Sequence, residues 1–225
     1  MSRLPILAID GPAGAGKSTV ARGAAKRLGL IYIDTGAMYR GVAWEALRRE
    51  MDLADVDALS RLAGSLHFAF APGESQDSLR VDGEDVGEAI RRPEISDLAS
   101  KISTIGGVRE ALVRAQRVMG NAGGVVMEGR DITTVVFPDA DIKIYLDARP
   151  EERARRRQAD LARQGRDVSL EQVLSDISER DERDSTRAKS PLRRADDAVY
   201  LCTDGMGLDD VIERVTQLVA ARTRH

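Results

Sequence analysis

The chain has 225 residues, 42% of them hydrophobic and 32% charged, with a formal charge of −3. That is room for one compact domain with inserts, and it lacks the basic surplus of a general binder of nucleic-acid polymers. One cysteine, Cys202, excludes an intramolecular disulfide, the first ten residues hold too short an apolar run for a signal peptide, and nothing reaches the length of a membrane span; a cytoplasmic monomer working away from membranes is expected.

In chain order, an apolar run at 6–9 leads into Gly11, Pro12, Ala13, Gly14, Ala15, Gly16, Lys17, Ser18 and Thr19. The stretch matches GxxxxGK[ST], the P-loop, with a strand before it and a helix after it. Glycine permits backbone angles that a Cβ forbids and lets main-chain N–H groups approach an anion. The following helix adds its dipole, Lys17 reaches β- and γ-phosphates, and Ser18 offers a hydroxyl to Mg²⁺. The plain alternative is a glycine-rich turn without a ligand. The pattern points to a bound nucleoside triphosphate, and leaves open whether its γ-phosphate serves a switch, mechanical work or transfer to a small acceptor. No guanine-reading N-K-x-D is present; Asn121 sits in Gly-Asn-Ala-Gly-Gly. Asp147 ends an apolar run alone, without the adjacent acid of many motor ATPases. Transfer predicts arginines at strand ends and in a cover that excludes water.

Val20, Ala21, Ala24, Ala25 and Leu28 share a helical face that Gly29 ends. A strand at 30–33 leads to Asp34 and Thr35, at the sheet edge where such folds bind ligands. A helix follows at 37–50. Thr35 and Arg40 offer a hydroxyl and a guanidinium fork to a phosphate; the alternative is a helix cap and a solvated arginine. Residues 66–90 break the pattern. Short runs at 67–70 and 79–81, around Pro72-Gly73 and Asp82-Gly83, predict a small antiparallel insert beside the main sheet. A helix at 96–120 is interrupted near Gly106-Gly107. Ser100 and Arg109 lie about two and a half turns apart, so they converge only if that helix breaks.

A buried strand at 125–127 ends in Glu128-Gly129-Arg130-Asp131. The Arg-Asp pair suits phosphate and base contacts, or is a strand-end ion pair. After a strand at 142–146, helices at 150–164 and 170–184 carry many arginines and as many acids, and read as a polar pair over a site. Arg153 and Arg157 share a face with Arg156 adjoining, and a solvated face is expected for most of these. Arg180, Asp184 and Arg187 line one face; the alternative is an exposed salt-bridge ladder. A strand at 198–201 and a helix at 208–222 close the chain. The strands are continuous apolar runs, which predicts burial on both faces and an α/β fold with a doubly wound, parallel, five-stranded sheet. Cys202 and Trp44 read as core. His67 and His225 lack partners at metal-ligand spacing.

These motifs stand in one order: GPAGAGKST, YIDTGAMYRGVA, VREALVRAQR, MEGRDITTVVFPDADIKIYLDA and RDERDSTRAKSPL. Over nearly its whole length the chain resembles the bacterial cytidylate kinases, nucleoside monophosphate kinases of the P-loop class. The resemblance implies one P-loop kinase domain over 1–225. Its core would be 1–36, 121–150 and 191–225, its monophosphate-binding region 37–120 with the β-containing insert at 66–90, and its helical lid 151–190. It implies transfer of the γ-phosphoryl group of ATP, carried with Mg²⁺, to CMP or dCMP. By position, residues 11–19 and Arg157 would bind ATP. Thr35, Arg40, Arg130 and Arg187 would surround the CMP phosphate. Ser100, Arg109 and Asp131 would face cytosine, and Arg180 and Asp184 the sugar. Lys17, Arg130, Asp131 and Arg187 would be catalytic, with Arg153 or Arg157 adding charge from the lid. Related enzymes often carry Ser where Thr35 stands, and the hydroxyl is kept. Asp131 would accept from the cytosine amine, where uracil offers a carbonyl instead. Competing readings are another acceptor, such as UMP or a non-nucleotide, and a regulatory ATP-binding module without transfer.

Overall fold

The computed structural model describes residues 3–71 and 78–222. Its elements begin with β1 (Ile6–Asp10), α1 (Lys17–Leu28), β2 (Ile31–Asp34), α2 (Thr35–Arg48), α3 (Val56–Ser65), β3 (Phe68–Ala71), β4 (Ser78–Val81) and β5 (Glu84–Asp85). They continue with α4 (Pro93–Ile102), α5 (Gly106–Gly120), β6 (Val125–Gly129), β7 (Ile142–Asp147), α6 (Pro150–Arg163), α7 (Leu170–Thr186), β8 (Val199–Cys202) and α8 (Leu208–Arg222). Two compact units result, one running to Ile31 and again from Ala122, the other Tyr32–Asn121.

The first unit holds β6, β1, β7 and β8, which follow one another in the five-stranded sheet β2-β6-β1-β7-β8. β1 runs parallel to β6, with Asp10 opposite Gly129, and parallel to β7, with Asp10 opposite Tyr145. β1 and β6 are buried throughout, as their unbroken apolar runs predict. β7 alternates buried and half-buried residues, and β8 is an edge strand parallel to β7. The expectation of strands buried on both faces fails at β8, where Val199 and Tyr200 are 41% and 48% exposed. Cys202 is exposed as well, not core. An edge position decides this, and a run of apolar residues does not carry strand order.

The second unit packs Met38, Val42 and Ala46 of α2 with Leu59 and Leu62 of α3, Leu79 and Val81 of β4, Ile95 of α4 and Leu112 of α5. The insert is a three-stranded antiparallel sheet, β3-β4-β5, with Phe70 opposite Leu79. The Pro72-Gly73 turn and His225 lie outside the described residues. Helix α3 is not among the elements expected from the sequence; Asp55 caps it, accepting from the Ala58 amide. The helix expected at 96–120 is two helices, and the break falls at 103–105, so Gly106 and Gly107 open α5 rather than interrupt it. A Cβ on Gly107 would meet Ser60 Oγ at 2.3 Å, so glycine there serves the close approach of α3 and α5. Trp44 is buried, with the Arg48 guanidinium 5.1 Å from its ring centre. His67 is exposed beside Asp82. Among the described residues no helix is long and apolar enough to cross a membrane.

Candidate active site

The turn between β1 and α1 has the shape its glycines allow. Gly11 (φ 153°) and Gly14 (φ 75°) hold backbone angles that side chains disfavour, and a Cβ would sit 2.0 Å from the Leu146 carbonyl oxygen at Gly11 and 2.8 Å from that of Arg153 at Gly14. Gly16 caps α1 in the left-handed region. Ala15 is buried and Thr19 is exposed on the first turn of α1. Lys17 is buried and donates to the Pro12 carbonyl at 2.7 Å. Burial, with the charges of Arg130 and Arg180 nearby, lowers its ammonium to about 7, against the opposing pull of Glu128 and Asp10. Ser18 Oγ donates to Glu128 Oε1 at 2.5 Å.

Helices α6 and α7 are seated on this loop. The Ala13 amide donates to Asp181 Oδ1 at 2.8 Å, and the Ala13 carbonyl accepts from Arg153 Nη1 at 2.9 Å. The Ala13 methyl joins Ala154, Leu161, Val173 and Ile177 in an apolar cluster. Arg153 therefore departs from the solvated face expected for most of the lid arginines. It is buried, ion-paired to Asp181, and also donates to the Ala148 carbonyl at 3.0 Å. Arg156 is held by Glu152 and by Thr203, and Arg157 is half-buried beside it.

At the end of β6, Arg130, Asp131, Asp184 and Arg187 come together. Arg130 Nε lies 2.9 Å from Asp184 Oδ2; Arg187 reaches Asp184 at 3.4 Å and Asp131 at 3.8 Å. Arg187 Nε also donates to the Ser190 carbonyl at 2.6 Å. Burial works to raise Asp184, but Arg130, Arg180 and Arg187 outweigh it and hold the carboxyl below its ordinary range. This is a buried network crossing from α7 to β6, not an exposed ladder along one helix. Behind it, the buried Asp10 carboxylate accepts from the amides of Ile132 (2.9 Å) and Thr133 (2.7 Å) and from the Thr133 hydroxyl (2.6 Å). Burial pushes Asp10 up to about 6 despite those three bonds. They pin a π-helical turn at Ile132–Val136, whose opening carbonyl, that of Asp131, accepts from Val135 and Val136.

In the second unit Asp34, not Thr35, caps α2, accepting from the Ala37 amide. It also pairs with Arg40 at 2.8 Å, so Arg40 is anchored rather than solvated; Thr35 is buried in the first turn. The break after α4 brings Ser100 and Arg109 to one place. Arg109 Nη1 donates to the Ser103 carbonyl at 3.1 Å, Ser103 Oγ donates to the Ser100 carbonyl at 2.7 Å, and all three residues are buried. The Arg109 guanidinium lies 5.5 Å from the Tyr39 ring centre.

A family model described as cytidylate kinase matches residues 7–221. The chain belongs to the cytidylate kinase family. A cytidylate kinase from Solibacter usitatus is 51% identical over 220 residues, covering 96% of this chain and 93% of that protein. Another from Pelotomaculum thermopropionicum is 51% identical over 226 residues, covering all of both. A shikimate kinase from Bacteroides thetaiotaomicron, 14% identical with a TM-score of 0.50 over 97% of this chain and 99% of that one, shares the fold. The chain is accordingly an ATP-dependent nucleoside monophosphate kinase of the P-loop α/β class.

Three residues of this candidate site have no role assigned from the sequence. Glu128, which accepts from Ser18, ends an apolar run just as a strand-end cap does, so its signal was only its place before Arg130-Asp131. Asp181 stands between Arg180 and Asp184 and faces the loop. Ser103 links Ser100 to Arg109 from a stretch that reads as helix interior.

Proposed function

We propose that this kinase transfers the γ-phosphoryl group of ATP to CMP or dCMP by direct in-line attack, with the roles assigned below. A CMP phosphate oxygen forms the new bond to the γ-phosphorus, the bond to the β-phosphate oxygen breaks, and ADP leaves. Positioning and charge neutralisation carry such a reaction without a covalent enzyme intermediate. The observation that carries this reading is geometric: the phosphate loop closes on a buried Lys17, and buried Arg187 gathers with Arg130 and Asp184 at the end of β6. Two phosphate-bearing substrates supply the anions that such a concentration of cations suits.

Within the loop at 11–19, Lys17 and the main-chain amides beyond Ala13 hold the ATP phosphates, and Arg157 adds charge from α6. Arg130 and Arg187 fork onto the acceptor phosphate, while Thr35 and Arg40 offer a hydroxyl and a fork of the same kind. Asp131, Ser100 and Arg109 read cytosine, and Arg180 and Asp184 contact the sugar. Arg153 is committed to Ala13, Ala148 and Asp181, so it anchors rather than touching the transferred group. Ser18 Oγ and Glu128 Oε1 are hard oxygen donors side by side, which suits Mg²⁺ held partly by substrate phosphates. When bound, Mg²⁺ neutralises charge on the β- and γ-phosphates. The test is coupled ADP release across CMP, dCMP, UMP, AMP and shikimate. Release with the cytosine nucleotides well above the others supports the reading, and equal release with UMP overturns the roles given to Asp131 and Arg109.

A further inference from the structure

We propose that Asp181 is a positioning residue for phosphoryl transfer and acts on Lys17 through a single peptide group. The peptide joining Pro12 to Ala13 is bonded at both ends. Its N–H donates to Asp181 Oδ1 at 2.8 Å, and its carbonyl accepts from Lys17 Nζ at 2.7 Å. A carboxylate at the N–H end draws the peptide's polarisation toward the carbonyl oxygen, which strengthens the bond to the ammonium. It also stops the peptide from turning over, since rotation would break both bonds at once.

The carboxylate is itself fixed. Its second oxygen pairs with Arg153, and Arg153 spans the carbonyls of Ala13 and Ala148, so the carboxylate cannot swing away alone. The Ala13 methyl, set among Ala154, Leu161, Val173 and Ile177, fixes the same residue from its third side. Asp181 thus belongs to two systems. It holds the loop that orients Lys17, and it sits on α7 one residue from Arg180 and three from Asp184, whose charges face Arg130 and Lys17. Lys17 is buried among cations, so it depends on such a fixed acceptor to keep one orientation.

This rests on Lys17 being the residue that reaches the transferred phosphate, and a double-mutant cycle separates the two ideas. Steady-state rates with CMP saturating and ATP varied are measured for Asp181→Ala, Lys17→Ala and the double variant. Folding is checked by circular dichroism, and Asp181→Asn replaces Asp181→Ala if the latter does not fold. The expected result is a fall in kcat on the order of 10²-fold for Asp181→Ala, since misplacing a catalytic group by an ångström costs that much. The Lys17→Ala background should show less than about 2-fold further loss, as non-additivity within a unit requires. Asp181→Asn, which keeps an acceptor oxygen but not the charge, should fall between wild type and Asp181→Ala. Additive losses, or wild-type kcat in Asp181→Ala beside an inactive Lys17→Ala, overturn the inference alone. Wild-type turnover in Lys17→Ala overturns the role of Lys17 and this inference with it.

Discussion

Buried arginines of the two units sit in different surroundings. Around the phosphate loop, buried charges answer one another: Arg130 with Asp184, Arg187 with Asp184 and Asp131, Arg153 with Asp181. In the second unit Asp34 and Glu45 also have arginine partners, while Arg109, only 2% exposed, donates to the Ser103 carbonyl and lies against the face of Tyr39. The contrast between Arg109 and the phosphate-loop arginines suits the ligand chemistry proposed above. Phosphates bring full charges, and a network of paired ions can exchange one partner for another. A base brings dipoles, and a guanidinium set beside a carbonyl and an aromatic face suits the base-reading role proposed for Arg109.

That contrast can be broken at either end. The largest effect belongs to Lys17→Ala, expected to lower kcat by about 10³-fold; a near-normal rate would remove the phosphate loop from the chemistry. Arg187→Ala is expected to cut turnover by about 10²-fold. It should also lower the unfolding free energy by about 3 kcal/mol, because Asp184 and Asp131 lose a buried partner. Urea melts check the second effect, and an unchanged midpoint would show that the network is not mutually supporting. Asp10 sharpens the point through pH. Its carboxyl holds a proton more tightly folded, at about 6, than at its ordinary value of 3.8. The stability it contributes is therefore fullest below pH 3.8 and is lost as pH rises through 6. Melts at stepped pH should show the wild-type minus Asp10→Asn difference moving toward the variant by up to about 3 kcal/mol across that window. A flat difference would mean that Asp10 ionises as freely folded as unfolded. In the second unit, Arg109→Met should reduce the CMP-to-UMP ratio of kcat/KM by about 10-fold or more while leaving KM for ATP unchanged; loss of ATP affinity would erase the division of labour. The smallest effect is Cys202→Ser, expected within about 0.5 kcal/mol of wild type because the thiol is exposed.

Much of this was legible because the chemistry imposes spacing. A P-loop must place its glycines, lysine and hydroxyl in fixed positions, so residues 11–19 announce the turn, the strand before it and the helix after it. Arg130-Asp131 and Asp184 with Arg187 were legible as polar groups where apolar runs end, though only the fold shows them meeting across 54 residues. Distance in sequence hides what else matters. The sequence offers Arg153 either a solvated face or lid charge, and hides its anchoring role because its partner carbonyl, on Ala13, lies 140 residues away. Cys202 reads as core because an apolar tetrad does not say that its strand lies on the sheet edge. Helix α3 left a weaker trace, Val56, Leu59, Leu62 and Ala63 at helical spacing within a polar stretch.

Trp44 is the single tryptophan, buried under α2's own Arg48 in the second unit, while the stacked Tyr145 and Tyr200 belong to the first. Indole fluorescence excited at the red edge therefore reports on one half of the molecule alone. Emission and far-ultraviolet dichroism that change at the same urea concentration would mean that both halves melt as one cooperative body, and an earlier emission change would make the tryptophan-bearing half a separate melting unit.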